Sequence, residues 1–402
     1  MTTATQAPAT TAKGHIDPAA AVTGATAPVQ TRSERATSYD PADFGAPTGR
    51  EVNWKHTPVA RMAAVLTDED TESGPDNAID YDLAGVPDGW LVPSAGHDAP
   101  VRGEVFRPED LPSALAWKNG VNALHLRVPA DVEADAPVRI DLTGRGGHAQ
   151  AHIIVEAMPN SQATVLLYHS GSADYAQNIE TIVRDGARLT LISVQRWDDD
   201  AVHASAHQAR VDRDASLTHV VVSLGGGVVR VNPSVELAGA GADGKLFGLS
   251  FADSGQHLES QVYLHHKGPH TVGDVLYKGA LQGSDAHSVW IGDVLIGRDA
   301  VGTDSYEANR NLVLTDGARA DSIPNLEIET GDIVGAGHAS ATGRFDDEQL
   351  FYLQARGIDE DEARRLVVLG FLSEIVQKTG IPSLEEELVA AIEAELAEGG
   401  AA

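Results

Sequence analysis

The 402-residue chain contains no cysteine. Disulfide bonds are therefore excluded, and so are thiolate metal ligands and thiol nucleophiles contributed by this chain. Any metal that the protein handles must be held by histidine or carboxylate side chains, or by groups from a partner.

Basic residues are also scarce. Lys and Arg number 29 against 59 Asp and Glu, which gives a net charge of −30. A field of this sign repels phosphate backbones and anionic lipids, so the sequence predicts no nucleic-acid partner and no membrane surface. No apolar run approaches the roughly 20 residues that span a bilayer. We interpret the acidity as the solvated surface of a cytoplasmic protein.

Aromatic residues make up only 5% of the chain, whereas glycine occurs 40 times. A core of small aliphatic side chains with glycine at turns favours a regular β-structure. From about residue 137, short apolar runs alternate with polar turns, and no helical segment interrupts them, which argues against a doubly wound α/β sheet. The clearest predicted strands cover residues 138–142, 163–167, 189–194 and 289–296.

A turn signature recurs before several of these strands. Its alanines at positions 163, 187, 215 and 242 are separated by 24, 28 and 27 residues. A small residue at a fixed turn, repeated at this interval, predicts stacked coils that bury one continuous core. The fold class is therefore predicted as mainly β, a parallel β-helix (solenoid) with helical N- and C-terminal regions. An ordinary β-sandwich stays open as the alternative.

Four regions are predicted along the chain. Residues 1–45 form a disordered tail, and residues 46–130 form a mixed, partly helical N-terminal region. That region has helical stretches at 60–66 and 111–117, and loops across 67–100. Residues 131–343 are the β-helix core. Residues 344–402 form three helices, which could pack on the core or receive another protein.

The C-terminal helices carry recognisable boundary signals. We predict Asp346, Asp359 and Ser383 as N-caps and Gly357 as the left-handed stop of the first helix. The apolar stripe predicted for the second helix comprises Ala363, Leu366, Val367, Gly370, Phe371, Glu374 and Ile375.

Residues 239–246, GAGADGKL, nearly fit a phosphate-binding loop. Leu246 replaces the magnesium-binding Ser or Thr, and a strand-like run follows where a helix should begin. A glycine-rich turn is therefore predicted, and the chain is not expected to hydrolyse ATP. There is no GxSxG and no HExxH motif, so the sequence gives no positive sign of an enzyme.

Two groups of histidines are candidates for metal binding. His203 and His207 lie on one strand about 13 Å apart, from ~3.3 Å per residue. This separation is too long for one metal, and we predict a pair of surface histidines. A second group could bind metal or form a coil edge or subunit interface; it comprises His257, His265, His266, His270 and His287.

The C-terminal part of the chain carries a family signature. Residues 324–328 read PNLEI, residues 338–342 read HASAT, and residues 346–358 read DDEQLFYLQARGI. These segments resemble the "P-x-L-E-I", "His-Gly-Ala-Thr" and "Leu-Phe-Tyr-Leu-x-x-Arg-Gly-Ile" elements of the SufB/SufD family. Residues 54–58, 237–242 and 309–314 resemble further elements, so the likeness runs from about residue 50 to 378. The HASAT segment is one residue longer than the family's turn, which places its geometry in question.

The resemblance implies a right-handed β-helix in a scaffold subunit of an iron–sulfur cluster assembly complex. SufB-like and SufD-like subunits would pair through their cores, and a SufC-like ATPase would dock on the C-terminal helices. The absence of cysteine makes the chain more similar to SufD, and Ala336 stands where many SufD sequences have cysteine.

The same resemblance makes His338 a candidate ligand for iron or a cluster at the SufB interface, with a purely structural histidine as the equal alternative. It implies no catalytic residues and no cofactor bound stably by this chain alone, only transient iron or an iron–sulfur cluster in the complex. The implied docking residues are Phe351, Tyr352, Arg356, Gly357, Leu366 and Phe371. Two other functions stay open: a β-helix polysaccharide lyase or hydrolase, and a purely structural, self-assembling solenoid.

Overall fold

The computed structural model describes Arg32 and residues 35–68, 78–345 and 347–399. Most of the predicted tail, residues 1–31 and 33–34, lies outside the described residues, as does the predicted N-cap Asp346. The account below concerns residues from Ala36 onward. Within the described residues no helix is long and apolar enough to cross a membrane.

Among the described residues, sixteen strands form the body of the protein. They are β1 (Ile79–Asp82), β2 (Leu91–Ala95), β3 (Ala123–Val128), β4 (Val138–Ala157), β5 (Gln162–Val183), β6 (Arg188–Trp197), β7 (Val202–Val211), β8 (Ser216–Ser223), β9 (Val228–Leu237), β10 (Asp243–Ala252), β11 (His257–His266), β12 (Val272–Leu281), β13 (His287–Ile296), β14 (Thr303–Val313), β15 (Arg319–Ile328) and β16 (Ile333–Arg344).

From β3 onward the strands pair in parallel as a solenoid. Strands β6, β8, β10, β12, β14 and β16 form one side, and β7, β9, β11, β13 and β15 form the other, while the long strand β5 pairs with both β6 and β7. Each strand therefore pairs with the strand one coil further along, and the predicted mainly-β solenoid is confirmed. All four of the clearest predicted strands lie within observed strands.

The turns on one side of the solenoid repeat a left-handed backbone position. The residues there have φ between 55° and 72° and are Asn160, Gly186, Asp214, Gly241, His270 and Gly302. Glycine adopts this conformation freely, and Asn, Asp and His tolerate it better than other residues. The N–H of Gly186 donates to the carbonyl of Arg213 in the next coil, so the turns are stacked by hydrogen bonds.

The predicted repeat of coils is confirmed, but one of the four alanines that marked it, Ala163, is not at the repeated position. Gln162 pairs with Arg188, and Arg188 pairs with Ser216, so the position before the strand is held by Ser161, Ala187 and Ala215. Ala163 is instead the second residue of strand β5, two positions after Ser161. The alanines at this position of the turn are buried.

The two outer sides of the solenoid are covered by the chain's own ends. On the β7–β9 side, Trp54, Met62 and Val65 pack against Ala204 and Val228. On the β8–β10 side, the C-terminal helices bury Val220, Phe247 and Leu249 together with other residues of that face. The interior between the two sides is a third, continuous cluster.

The N-terminal region is only partly as predicted. Short 3-10 helices cover Pro41–Asp43, Val52–Trp54 and Val59–Leu66, and helix α1 covers Leu111–Asn119 with Asp110 as its N-cap. The predicted loops across 67–100 contain two strands, β1 and β2, which pair antiparallel with β4 and β3. They were missed because each is short and lies among Gly and Pro residues.

Helices α2 (Asp347–Gln354), α3 (Glu360–Val376) and α4 (Pro382–Gly399) follow the last strand, with a 3-10 turn at Gln377–Thr379. Gly357 has the expected positive φ of 86°, and the side chain of Asp359 accepts from the N–H of Glu362. Ser383 is not an N-cap, because α4 already begins at Pro382.

The buried face of α3 differs from the predicted stripe. Its buried residues are Ala363, Val368, Leu372, Ile375 and Val376. Leu366, Gly370 and Glu374 are exposed instead. The orientation of α3 is set by how the helix packs on the solenoid, and the sequence of the helix alone does not determine this packing.

Candidate functional site

The last coil of the solenoid is open. Strands β15 and β16 are the two ends of the strand order, and among the described strands each has one ladder neighbour, β13 and β14 respectively. Most residues of both strands are exposed or only half-buried. The free edges and the uncovered interior therefore form one end surface of the molecule.

Polar side chains replace the apolar interior at this end. Alternate residues of β14 are buried and polar, namely Thr303, Ser305, Glu307, Asn309 and Asn311. Their partners on β16 are Ala336, His338, Ser340 and Thr342, which stand opposite residues 305, 307, 309 and 311. Because side chains of a parallel ladder stack in register, the open end presents a polar row to solvent.

His338 lies directly opposite Glu307 in this row. Its Nδ1 is 3.7 Å from Oε1 of Glu307, and its side chain is 45% exposed while that of Glu307 is 1% exposed. The one-residue difference from the family's turn does not disturb this pairing. The β14–β16 ladder slips earlier, between Thr303 and Asp304, and the extra residue there is the exposed Val334.

Glu307 is an unusual buried carboxyl. Neither of its oxygens has a hydrogen-bond partner among the described residues. Burial, and then the nearby charge of Asp293, raise the pKa of Glu307 to about 8. The space for this carboxyl comes from Gly292, where a Cβ would lie only 2.5 Å from Oε2 of Glu307.

Further polar atoms on strands β12 and β13 are also unpartnered within the described residues. They are the phenol oxygen of Tyr277 and the indole Nε1 of Trp290. Both rings line a small cavity together with Ser250, Ser288 and Asn309. Buried polar groups normally find partners, so this end of the interior is arranged at a cost in stability.

The arrangement offers one imidazole nitrogen and one carboxyl at a solvent-facing mouth. Imidazole and carboxylate are both ligands for iron. No group of three or more His, Cys, Asp or Glu side chains placed to hold a metal occurs within the described residues. A metal at this mouth would therefore need further ligands from a second molecule. Sequence reasoning missed Glu307, although its inward position in the alternation of β14 is a signal that could have found it.

The residues proposed for partner docking fall into two groups. Phe351 and Tyr352 on α2 and Leu366 on α3 are 72%, 56% and 41% exposed. The Arg356 guanidinium lies 4.4 Å from the centre of the Tyr352 ring, and Gly357 forms the turn between these helices. Phe371 is different, because it packs against the solenoid, and Lys278 donates to its carbonyl.

The other candidate motifs resolve differently. His203 and His207 are not surface histidines; both face the solenoid interior and are at most 3% exposed. The alternation of β7 points them inward, a direction that their spacing alone does not fix.

Residues 239–242 form a turn and Leu246 lies on strand β10, as predicted for a failed phosphate loop. In the histidine-rich window only His257 and His287 contact each other through their rings.

The N-terminal element at residues 54–58 is fastened to the outer side of the solenoid. The Arg230 guanidinium lies 4.2 Å from the centre of the Trp54 ring. The Thr57 hydroxyl donates to Oε2 of Glu259 at 2.8 Å, and Nδ1 of His56 lies 3.4 Å from Asp321. The segment whose sequence resembles a family element is thus buried against the solenoid and anchored to it.

Comparison with known proteins agrees with this architecture. Residues 140–371 match the SufBD core domain of the SUF system for FeS cluster assembly. The chain belongs to the SufBD family. It is 48% identical over 373 residues to an iron–sulfur cluster assembly SufBD family protein of Mycobacterium tuberculosis, covering 91% of this chain and 93% of that one.

A SufBD family protein of Mycobacterium leprae is 46% identical over 374 residues, with 89% and 93% coverage. A second M. leprae protein of the family is 28% identical over 270 residues, and the match covers 65% of this chain but 31% of that protein. As a SufBD family member, this chain is involved in iron–sulfur cluster assembly. The match contains the whole open end, including Glu307 and His338.

Proposed function

We propose that this SufBD family protein is the SufD-like subunit of a cytoplasmic SufBCD-type complex. It acts as a scaffold and not as an enzyme, and it binds no cofactor stably on its own. Iron or a cluster is cargo that it contacts transiently together with its partners. The lack of cysteine supports this assignment, because thiol chemistry must then come from another subunit.

The open end is the proposed surface for a SufB-like partner. Strands β15 and β16 offer unpaired backbone edges, which are templates for pairing with another chain. The observation that carries the proposal is His338, half-exposed at this end above the unpartnered carboxyl of Glu307. A partner that covers the end would enclose these two groups with its own ligands.

The exposed apolar side chains of Phe351 and Tyr352 on α2, and of Leu366 on the contacting helix α3, form the proposed docking patch for a SufC-like ATPase. Large exposed apolar side chains that lie together mark protein-interaction surfaces. Arg356 and Gly357 shape the turn beside this patch. Phe371 contributes only by holding α3 on the solenoid.

Co-assembly tests the partner assignment. The chain is mixed with a SufB-like protein and a SufC-like ATPase from one genome, and the masses are measured by sedimentation velocity. We expect one complex that contains all three proteins. If the two others bind each other and leave this chain free, or if the chain binds only a second copy of itself, the proposal is wrong.

The docking patch is tested with a matched pair of substitutions. Leu366→Asp should weaken ATPase binding at least tenfold, because it places a charge in the contact. Val121→Asp is the control, since Val121 is 44% exposed but lies in the N-terminal region. Circular dichroism confirms that both variants fold. Equal ATPase affinity of the two variants would remove this patch from the proposal.

His338 is tested in the assembled complex. His338→Ala should leave the free energy of unfolding within about 0.5 kcal/mol, as for other surface changes, and should lower the yield of iron and sulfide in the complex severalfold. His270→Asn is the control, because His270 is an exposed turn histidine whose left-handed conformation Asn tolerates. An unchanged yield in His338→Ala would show that this histidine is structural.

A polysaccharide-cleaving enzyme is less well supported. Such an enzyme needs a groove along the solenoid lined by catalytic side chains. Here the N-terminal segment and the C-terminal helices pack against the two outer sides. No observation on the described residues favours this alternative over the scaffold.

A further inference from the structure

Two histidines on the outer side of the solenoid face each other across adjacent coils. His257 on β11 and His287 on β13 are direct partners in the parallel ladder. Their ring centres are 4.8 Å apart, and their Nδ1 atoms approach to 3.1 Å. The two histidines precede the open end in the chain, although Asp321, which contacts His287, lies on β15; they play no part in the function proposed above.

Each histidine also has a carboxylate on its other ring nitrogen. Nε2 of His257 is 3.0 Å from Oε2 of Glu259, and Nε2 of His287 is 2.8 Å from Oδ2 of Asp321. Each carboxyl is also paired with a guanidinium: Arg230 donates to Oε1 of Glu259 at 3.2 Å, and Asp321 has an arginine partner of its own. Ionised carboxylates only accept, so each Nε2 must donate.

This hydrogen-bond pattern leaves the two Nδ1 atoms in conflict. A neutral imidazole carries one N–H, and here that hydrogen is already on Nε2. Two lone pairs therefore point at each other across 3.1 Å. The pair is stable only if a cation lies between the two nitrogens, either an extra proton or a metal ion.

The balance of charge around the two histidines also favours a bound cation. The hydrogen-bonded network joins three carboxylates, Asp110, Glu259 and Asp321, to two guanidiniums, Arg230 and Arg319. The imidazole of His56 is the remaining titratable group in contact, 3.4 Å from Asp321. With neutral histidines the network carries one uncompensated negative charge.

We propose that Nδ1 of His257 and Nδ1 of His287 together bind a divalent transition-metal ion of the imidazole-preferring class. Because the two nitrogens are 3.1 Å apart, a metal about 2.0–2.1 Å from each would have a nitrogen–metal–nitrogen angle of about 100°, close to the tetrahedral value. A carboxylate on the far nitrogen of each ligand is the usual support of a histidine metal site. Water molecules complete the coordination, with access past His287, whose side chain is 21% exposed.

The site joins the N-terminal element to the last coil. Glu259 also accepts from Thr57, and Asp321 also contacts His56, so both supporting carboxylates hold residues 54–58. A bound metal therefore fastens this element to strands β11, β13 and β15.

Metal titration of the tag-free, metal-stripped full chain tests the proposal. Co2+ is added while the visible absorption is recorded, and Zn2+ is then used to displace it. We expect one equivalent of Co2+ to bind to the wild type. His257→Gln and His287→Gln should each weaken binding at least tenfold, whereas His265→Gln on the same strand as His257 should stay within twofold.

Two results would overturn the proposal. The first is a wild type that binds no Co2+ or Zn2+, as expected for a pair that only shares a proton. The second is unchanged affinity in His287→Gln, the more exposed member of the pair. If His257→Gln fails to fold, X-ray absorption of the Zn2+-loaded wild type decides, because the proposal requires two imidazole ligands and is contradicted by a coordination shell without them.

Discussion

Inward-facing histidines occur both in the middle coils and at the open end of the solenoid, and these two regions differ in what surrounds the side chain. In the middle coils, His203, His207 and His219 are at most 3% exposed and are closed off by coils on both sides. At the open end, His338 is 45% exposed above a carboxyl without partners. The same type of side chain is thus a packed core residue in one coil and a half-exposed residue in another.

Burial explains the difference. The Nδ1 of His207 and the Nε2 of His219 share a hydrogen bond of 2.9 Å, and Ser205 contacts the other nitrogen of His207. Burial, followed by the charge of His219, lowers the pKa of His207 well below its usual value. These histidines are therefore neutral and structural. Position along the solenoid, and not residue type, decides which histidine can meet a partner.

The largest expected difference in the free energy of unfolding is between a core residue of the middle coils and a residue at the open end. Leu217→Ala in the middle should cost about 2–5 kcal/mol, because a fully buried leucine leaves a cavity. Ser340→Ala at the end should cost about 0.5 kcal/mol, since it removes one exposed hydrogen bond to Ser322. Urea unfolding measures both. Equal losses would mean that the end is as tightly packed as the middle.

Lowering the pH should destabilise the protein through the buried histidines of the middle coils. Burial lowers the pKa of His219 to about 4, from 6.5 in an unfolded chain. Between these values the unfolded chain binds a proton that the folded chain does not, so stability is lost as the pH falls from 6.5 toward 4. The loss at pH 5 is about 2 kcal/mol for this histidine alone.

The variant His219→Leu should therefore lose less stability than the wild type between pH 7 and pH 5. Leu217→Ala, two residues away on the same strand, should lose as much as the wild type. Urea midpoints at the two pH values measure both differences. A His219→Leu variant as acid-sensitive as the wild type would show that His219 is already charged in the folded protein.

The smallest expected difference in stability is between a glycine in a stacked turn and a glycine on the last strand. Gly186→Ala should cost about 1–2 kcal/mol, because Gly186 is left-handed and a Cβ would lie 2.6 Å from Oδ1 of Asn160. Gly343→Ala on the last strand should be nearly neutral, since nothing lies within 4 Å of its Cβ position. Thermal unfolding compares the two. A neutral Gly186→Ala would mean that the stacked turns are not strained.

The sequence predicts the solenoid because local signals repeat along it. Glycine turns, alternating strands and the interval between coils all reflect backbone chemistry within one coil. The same signals misplaced Ala163, because the repeat length varies and only the ladder fixes which residue faces which. They also failed for β1 and β2, which are short and pair with strands far along the chain.

The candidate site was predictable only in part. The family resemblance points to His338, but Glu307 precedes it by one coil and meets it only through the register of β14 and β16. His257 and His287 were singled out by their density, whereas their pairing depends on the register of β11 and β13. The exposed face of α3 likewise depends on how the helix is seated on the solenoid.

Hydrogen–deuterium exchange on the complex with a SufB-like partner tests the central claim most directly. The account predicts that backbone amides of β15 and β16 become protected when the partner binds, while β8 in the middle of the solenoid is unchanged. A complex that forms while β15 and β16 exchange as fast as in the free chain would contradict the assignment of the open end as the assembly surface.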